Sequence, residues 1–458
     1  MTNLLKKTLS NNNILSLSSN VFVAVFGLIS FILLTRTLKQ DIFGEWVLFI
    51  TASNFIEMLR FGITRTAIIR FLSGVKGEEK QKFIGSNWVI GLIITLILIS
   101  IIWISLLLFP ETIKQSGYNL FFTWYPILAI INMPFNNALS ILQADQKFNK
   151  ILIIRLINVG TFVIFLIFNL LFIKWGIINI LYSYLTINLF TSLICILFKW
   201  AGLKYIFKAT RATNKIILNF GKYTTGTLIG SNLLKSSDSF IIGLSPILGT
   251  TGVALYSIPL KLTEILEIPI RSFIATAFPI MSKASIENKI NEVKKTYYTY
   301  SGATFFLLLP IIIICIIFAE KLVVFLGGES YAETANIFRV FCIYGLFLPL
   351  DKFTGVTLDS INRPKKNFFK VIYMTSANII GDLVAVFVLI KIFPNLNNIS
   401  LLISVSAVTV VMILVGLFVG FKYLNKEINI NFKNNFKYGI KFYKNLLSKI
   451  SFFNPKNY

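Results

Sequence analysis

A chain of 458 residues that is 55% hydrophobic and only 14% charged, with mean hydropathy +0.76, holds more apolar side chains than a water-soluble core absorbs. That excludes an ordinary globular domain and indicates an all-α polytopic membrane protein. The net charge of +25 would suit nucleic acid in a soluble protein, but here the basic residues must first be placed relative to a membrane. There is no histidine, which removes His-based triads and His metal ligands, and Cys195, Cys315 and Cys342 lie far apart in apolar segments as packing residues.

About 20 apolar residues make one crossing. By that measure twelve spans are expected, at 14–35, 42–71, 83–109, 118–142, 150–173, 177–198, 217–244, 252–279, 297–318, 334–360, 367–390 and 399–421. Lys6 and Lys7 precede the run Leu15–Leu34, and no small-residue cleavage pattern follows it, so it reads as a retained first span. The second span lies in Phe31–Gly74, which sets Glu57, Arg60 and Arg65 inside an otherwise apolar segment. A charge at bilayer depth costs at least about 2.5–3.5 kcal/mol, so such residues face a partner or a wet cavity. At about 100° per residue, Arg60 and Arg65 fall about −60° and +80° from Glu57, on one face.

Prolines inside span 4 (Pro126, Pro134), span 8 (Pro259, Pro269) and span 10 (Pro349) predict bent helices. Span 7 places Lys235 and Asp238 one turn apart among Ser231, Asn232, Ser236, Ser237 and Ser239, too polar a face for lipid. In span 8, Lys261, Glu264, Glu267 and Arg271 fall within about 120° of one another and form a charged ridge. Span 10 adds Asp351, Lys352 and Asp359, and span 11 adds Asn378 and Asp382 one turn apart. Arg339, near the outer end of span 10, is expected to snorkel to the interface. After Lys422 the chain turns basic and amphipathic, with Phe432, Phe436, Ile440, Tyr443, Leu447 and Ile450 at helical spacing, and is expected to lie on the inner membrane surface.

With the amino terminus inside, and with Arg70, Lys150, Arg155, Lys222 and Lys370 at inner span ends counted with the cytoplasmic links, 31 of the 44 lysines and arginines fall on the cytoplasmic side, six outside and the other seven within spans. This positive-inside bias puts both termini in the cytoplasm and assigns the net charge to orientation and anionic lipid, leaving no need for nucleic acid. The longest cytoplasmic link, 199–222, divides the spans six and six, giving expected lobes 1–210 and 211–425 and a basic tail 426–458. At an offset of 210, Phe31–Gly74 lies over Ile241–Ala284, with Trp46 on Tyr256, Glu57 on Glu267 and Ala67 on Ala277, the layout of a parallel repeat.

Two readings compete for the buried charges: structural pairs (Glu57 with Arg60, Lys235 with Asp238, Lys352 with Asp359) or a cavity that takes an anionic ligand and couples to an ion. The number of such groups across spans 2, 7, 8, 10 and 11 favours the cavity. No P-loop, Rossmann glycine pattern, HExxH or CxxC occurs, Gly327–Gly328 reads as a turn, and the short outer loops leave no extracytoplasmic catalytic domain.

The stretch LLTRTL…FGEW with its arginine-bearing span, and SSDSFIIG…GVALYSIPLKLTEIL…FPIMSKA, resemble the half-signatures of bacterial oligosaccharide flippases. These are the Wzx-type O-antigen and capsule repeat-unit translocases, in the superfamily of multidrug and toxic-compound extruders and lipid II flippases. The resemblance covers about residues 10–425. It implies twelve transmembrane helices in two six-helix lobes around a central cationic cavity, which opens alternately to each face of the bacterial cytoplasmic membrane. The implied cargo is an undecaprenyl-diphosphate-linked oligosaccharide; the implied partners are membrane lipids and other polysaccharide-assembly membrane proteins. Arg60, Arg65, Lys235, Lys261, Arg271 and Lys352 would then attract diphosphate or acidic sugars, and Glu57, Asp238, Glu264, Glu267, Asp359 and Asp382 would balance them or bind a coupling proton or sodium ion. No other cofactor is expected. The chain departs from lipid II flippases in having twelve spans rather than fourteen, and without histidine any proton coupling falls to carboxylates. The alternatives are a multidrug or organic-cation exporter, which would want an acidic, aromatic-lined cavity, and a glycan polymerase, for which no catalytic constellation is found.

Overall fold

The computed structural model describes residues 12–72 and 75–451, apart from the side chains at 12–18, 63, 66, 220–228, 231, 446, 447 and 449–451. Lys6, Lys7, Gly74 and the side chains of Ser231, Leu447 and Ile450 therefore lie outside the described residues. Every regular element among the described residues is a helix. In chain order the long ones are α1 (Asn12–Thr37), α2 (Gln40–Leu72), α3 (Gly77–Leu108), α4 (Asn119–Ala144), α5 (Phe148–Ile173), α6 (Ile177–Leu197) and α7 (Arg211–Gly243). They continue as α8 (Gly249–Ile286), α9 (Ile290–Ile317), α10 (Ala335–Ser360), α11 (Pro364–Ile392), α12 (Asn398–Ile428) and α13 (Lys433–Ser451).

Eleven of these, α1–α6 and α8–α12, are long and apolar enough to cross a membrane. The remaining expected span is α7, helical through all 33 residues and so about 50 Å long, but it carries Lys215, Lys222, Lys235 and Asp238 and is not among the eleven. The outward faces agree with a lipid surround. Along α3, Leu96, Ile97, Ile101, Trp103, Ile104 and Leu107 are all exposed, a continuous apolar face that water would not tolerate. The chain is a multi-pass, all-helical membrane protein.

Helix ends follow local chemistry. Pro364 opens α11, and the Asn397 side chain accepts a hydrogen bond from the Ser400 amide at 2.8 Å to cap α12. Three tight connections share one closure: Gln146, Asn288 and Asn362 adopt φ of 55–58°, and the amides of Lys147, Lys289 and Arg363 reach back to the carbonyls of Leu142, Ala284 and Leu358 at 2.8–2.9 Å. This left-handed closure satisfies otherwise orphaned carbonyls and puts a basic residue at each turn. The prolines at 126, 134, 259, 269 and 349, with Pro279 and Pro310, all sit inside helices, and single π-turns interrupt α5 at Leu156–Gly160 and Asn169–Ile173 and α11 at Val384–Val388.

The chain divides into two compact units, one of residues 1–232 with 249–254, the other of 233–248 with 255–458. In the first, α2 packs against α3 and α4, α4 against α6, and α1 along α5. Its aromatic centre is Trp46, stacked on Phe162 at 6.0 Å and edge-on to Tyr184 at 5.6 Å. Farther along, Phe61, Trp88, Met133 and Ile141 share a buried cluster, and the Trp88 indole donates to the Ala201 carbonyl at 2.8 Å.

In the second unit, α10 packs on α9 and α12, and α11 on α12. The contact is tight because α12 presents Gly416 and Gly420 one turn apart: a Cβ at Gly416 would fall 2.7 Å from Asp351 Oδ1, and one at Gly420 3.3 Å from Lys370 Cδ. Behind those glycines Lys370 of α11, only 3% exposed, pairs with Asp351 of α10 at 2.6 Å and donates to the Asp351 carbonyl and Thr354 Oγ1 at 2.9 and 3.0 Å. The amphipathic α13 docks on its own unit. Its apolar side packs along α9, with Phe436 against Phe305 and Phe306, Tyr438 against Tyr298, and a backbone crossing where a Cβ on Gly302 would come 3.0 Å from Gly439 Cα.

Two outcomes follow for the purified protein in detergent. Gly439→Leu is expected to lower unfolding stability by about 1–3 kcal/mol, because the crossing has no room for a side chain; an unchanged melting temperature would show that the α9–α13 contact does not hold the unit together. Lys370→Met or Asp351→Leu alone should cost about 3–5 kcal/mol by leaving one charge buried and unpaired, and the double variant should recover most of that loss. Equal losses in single and double variants would show that the ion pair is not what Lys370 contributes.

Candidate functional site

Four groups of charged side chains sit within the spans, and they differ in how completely each charge is answered. In the first unit, Glu57 of α2 accepts from the Tyr125 hydroxyl at 3.1 Å and the Asn136 amide at 3.2 Å, both on α4, and pairs with Arg60 at 3.0 Å. Arg60 is wholly buried beneath it, with its guanidinium 4.4 Å over the Phe61 ring. In front of Glu57 opens a cavity of about 380 Å³ lined by Asn54, Phe61, Arg65, Asn136 and Ser140. Of the three charges expected on one face of α2, Glu57 and Arg65 line this cavity and Arg60 stands behind.

The second unit holds the charged ridge of α8. Glu267 is the hub: Arg271 lies 2.7 Å away on the next turn, and Lys235 of α7 reaches the same oxygen at 3.4 Å. Lys352 of α10 adds a third positive charge acting on that carboxylate. Arg271 and Lys235 remain 64% and 51% exposed while Glu267 is 12% exposed, so the cations outnumber the carboxylate they share and present an excess of positive charge. Lys261 and Glu264, one helical turn away, pair with each other at 2.7 Å.

A third group is anionic and buried. Asp238 of α7 accepts from the Tyr256 hydroxyl at 2.5 Å, from the Thr409 hydroxyl at 3.1 Å, and from the Asn378 amide at 2.5 Å. The same Asn378 amide donates to Asp382 at 2.9 Å and approaches Ser237 Oγ at 3.0 Å. Two buried carboxylates thus share one amide, and no cationic side chain pairs with either among the described residues. Asp382 Oδ1 and Asn378 Oδ1 are buried without a hydrogen-bond partner. Buried polar oxygens of this kind need a proton or a hard cation to answer them. No group of three or more metal-ligating side chains occurs among the described residues. The fourth group is the Asp351–Lys370 pair, closed on itself.

The structure therefore regroups the charges. Glu57 pairs with Arg60 as the spacing suggested. Lys235, however, takes Glu267 on the neighbouring helix rather than Asp238 one turn along, because Asp238 is already occupied by Tyr256, Asn378 and Thr409. Asp359 hydrogen-bonds Asn367 at 2.9 Å instead of Lys352. Arg339 donates to Asn336 Oδ1 at 2.5 Å and to the Ile316 carbonyl at 3.4 Å. Arg155 and Lys370, which the charge count assigns to the cytoplasmic links, both belong to helices. A wheel drawn through the whole of α11 would have set Lys370 four residues before Met374 on a buried side. Cys195 and Cys342 are buried and Cys315 half-buried, all three free.

Comparison with known proteins gives the fold independently. A multidrug resistance MATE family transporter of the MOP superfamily, in an inward-facing conformation, superposes with TM-score 0.70 at 17% identity, covering 90% of this chain and 98% of that one. The lipid II flippase MurJ, in an inward closed conformation, gives 0.71 at 17% identity over 97% of this chain and 94% of its own. A MOP superfamily transporter from Pyrococcus furiosus, described as having a binding pocket of reverse polarity, gives 0.55 at 16% identity over 91% and 94%. No curated protein sequence matches the chain. The family profile described as polysaccharide biosynthesis protein matches residues 33–336, about two thirds of the length, and with it the chain belongs to the polysaccharide biosynthesis protein family, built on the fold of MOP superfamily transporters and lipid flippases.

Proposed function

We propose that the protein is a flippase that carries an undecaprenyl-diphosphate-linked oligosaccharide, an O-antigen or capsule repeat unit, across the bacterial cytoplasmic membrane by alternating access. The observation that carries this reading is the excess of cations around Glu267: Lys235, Arg271 and Lys352 answer one carboxylate and leave positive charge over for an anionic cargo. Arg271 suits that task, since a guanidinium stays charged on desolvation and offers a fork of donors to phosphate oxygens. Arg65 serves the same purpose at the first-unit cavity, with Asn54, Asn136 and Ser140 as hydrogen-bonding groups for sugar hydroxyls. Lys261 is held by Glu264 and contributes less. Arg60 acts indirectly, by pairing with Glu57 and holding it in place.

The same fold serves multidrug transporters, and a cationic drug would be drawn to a carboxylate-lined pocket instead. The polarity of the α8 ridge disfavours that cargo. Membership of a polysaccharide biosynthesis family favours the glycan.

Asp238 and Asp382, bridged by Asn378, are the groups we assign to ion coupling. Their oxygen-only set fits a proton or a sodium ion, and Thr409, with the unpartnered Asn378 Oδ1, completes the donors. We assign the basic links that contain Lys147, Lys289 and Arg363, and both termini, to the cytoplasmic side, as the positive-inside bias of the sequence supports.

In proteoliposomes loaded with a fluorescent undecaprenyl-diphosphate-linked saccharide, Arg271→Ala and Lys235→Ala together are expected to slow translocation by at least about tenfold, the loss of a hydrogen bond to a charged group. A wild-type rate in that variant would refute the assignment of the ridge. Asp382→Asn should abolish the response of transport to an imposed sodium or proton gradient while a cargo-binding measurement stays near wild type. A gradient response that survives would remove the coupling role.

A further inference from the structure

A second cavity lies at the end of the first unit that carries the turn 145–147, and it uses a charge outside every group described so far. It has a volume of about 190 Å³ and is lined by Ser19 and Asn20 of α1, Arg65 of α2, Gln143 of α4 and Arg155 of α5, with apolar side chains between them. Arg155 Nη1 donates to Asn20 Oδ1 at 2.7 Å and to Ser19 Oγ at 3.1 Å, while Arg65 Nη2 reaches Gln143 Oε1 at 3.5 Å. Four helices thus hold two guanidiniums in one small pocket, and no carboxylate pairs with either of them among the described residues.

A purely structural role accounts for half of this. Arg155 could tie α5 to α1 through Ser19 and Asn20, but that leaves unexplained why Arg65 faces the same space. Two like charges facing one small space repel and are costly unless an anion answers them. The existing contacts engage one nitrogen on each guanidinium, and each carries five N–H donors in a planar fork suited to phosphate oxygens. The space is smaller than the pockets that hold drug-sized ligands, so it admits a phosphate or diphosphate group and not a sugar chain. Arg65 also lines the larger cavity in front of Glu57, so one side chain borders both spaces.

We infer that Arg65 and Arg155 form a phosphate-binding subsite for a lipid headgroup, which engages the phosphate at the end of the first unit before the cargo occupies the larger cavity. For the diphosphate of the glycan carrier this rests on the flippase reading. The phosphate of a bilayer lipid would offer the same chemistry without it.

The test is equilibrium binding to the purified full-length chain in detergent, with undecaprenyl diphosphate, phosphatidylglycerol and inorganic pyrophosphate as separate probes. Arg155→Gln removes the charge while keeping a donor for Ser19 and Asn20. Arg65→Gln does the same on an exposed side chain whose loss does not threaten folding. Each is expected to weaken undecaprenyl diphosphate by about tenfold or more, and Arg155→Lys, which keeps the charge but loses the fork, by less. Wild-type affinity for all three probes in both glutamine variants would overturn the subsite and leave the flippase reading intact. Arginine-dependent binding of pyrophosphate or phosphatidylglycerol, with no binding of undecaprenyl diphosphate by the wild type, would uphold the subsite and overturn the flippase reading.

Discussion

The energetic cost of placing charge in hydrocarbon governs where every ionisable side chain in this chain is found. With no water to solvate it, each charge needs a counter-charge, a set of hydrogen bonds, or an opening onto water. The structure uses each of these in a different place. Lys370 and Asp351 close on each other and are sealed by glycines. Arg60 is sealed behind Glu57, which shares one oxygen between Arg60 and Tyr125 and gives the other to Asn136. Around Glu267 the balance is left open, because three cations answer one carboxylate. Around Asp238 and Asp382 it is left open in the opposite sense. Closed groups hold helices together, whereas open ones are where a mobile charge can be taken up.

Closing a buried pair depends on backbone distance as much as on charge. Lysine and aspartate meet at 2.6 Å on α10 and α11 only because α12 lies close against both, and α12 can do so because Gly416 and Gly420 have no side chains there. The same device, Gly302 against Gly439, brings α13 onto α9. The π-turns of α5 work differently. They shift the helix by a fraction of a turn, so that Asn158 meets Asn188 at 3.1 Å and Asn169 accepts from the Trp175 amide at 2.8 Å. Polar groups that would be stranded in a regular helix are satisfied by a local defect in it.

Much of this was legible in the sequence and some was not, for definable reasons. Hydropathy located the spans, and the offset of 210 matches two helix starts: moved by it, α2 would begin at residue 250, and α8 begins at Gly249. Helical spacing set Glu57 and Arg65 on one side of α2, where both line a cavity, but it set Arg60 there too, and the structure buries Arg60 behind Glu57. Spacing could not tell which neighbouring helix lies opposite, and so it paired Lys235 with Asp238 when Glu267 was in reach. Arg155 and Lys370 went with the cytoplasmic links in the charge count because a basic residue at the inner end of a span reads as loop by charge alone, although both sit within helices and Lys370 is buried. The apolar side of α13 was visible as a helical stripe. That α9 would cover it was not, since two glycines 137 positions apart give no signal until they are seen to touch.

The offset of 210 also sets side by side two helices that do different work. At the offset of 210, Glu57 and Glu267 coincide, but the residues one turn on are exchanged. The buried slot three residues after the carboxylate holds Arg60 in the first unit and Ile270, 2% exposed, in the second. The slot four residues after it holds Phe61, which lines the cavity, in the first unit and the largely exposed Arg271 in the second. A carboxylate with its cation beneath it is neutralised from behind and presents an oxygen face. A carboxylate with its cation beside it presents a mixed face, and Lys235 and Lys352 then tip that face positive. In the first unit the exposed cation comes instead from Arg65, two turns from Glu57, at the border between the two cavities. One helical position thus separates a charge used to hold a helix in place from a charge turned outward, where it can meet an anion.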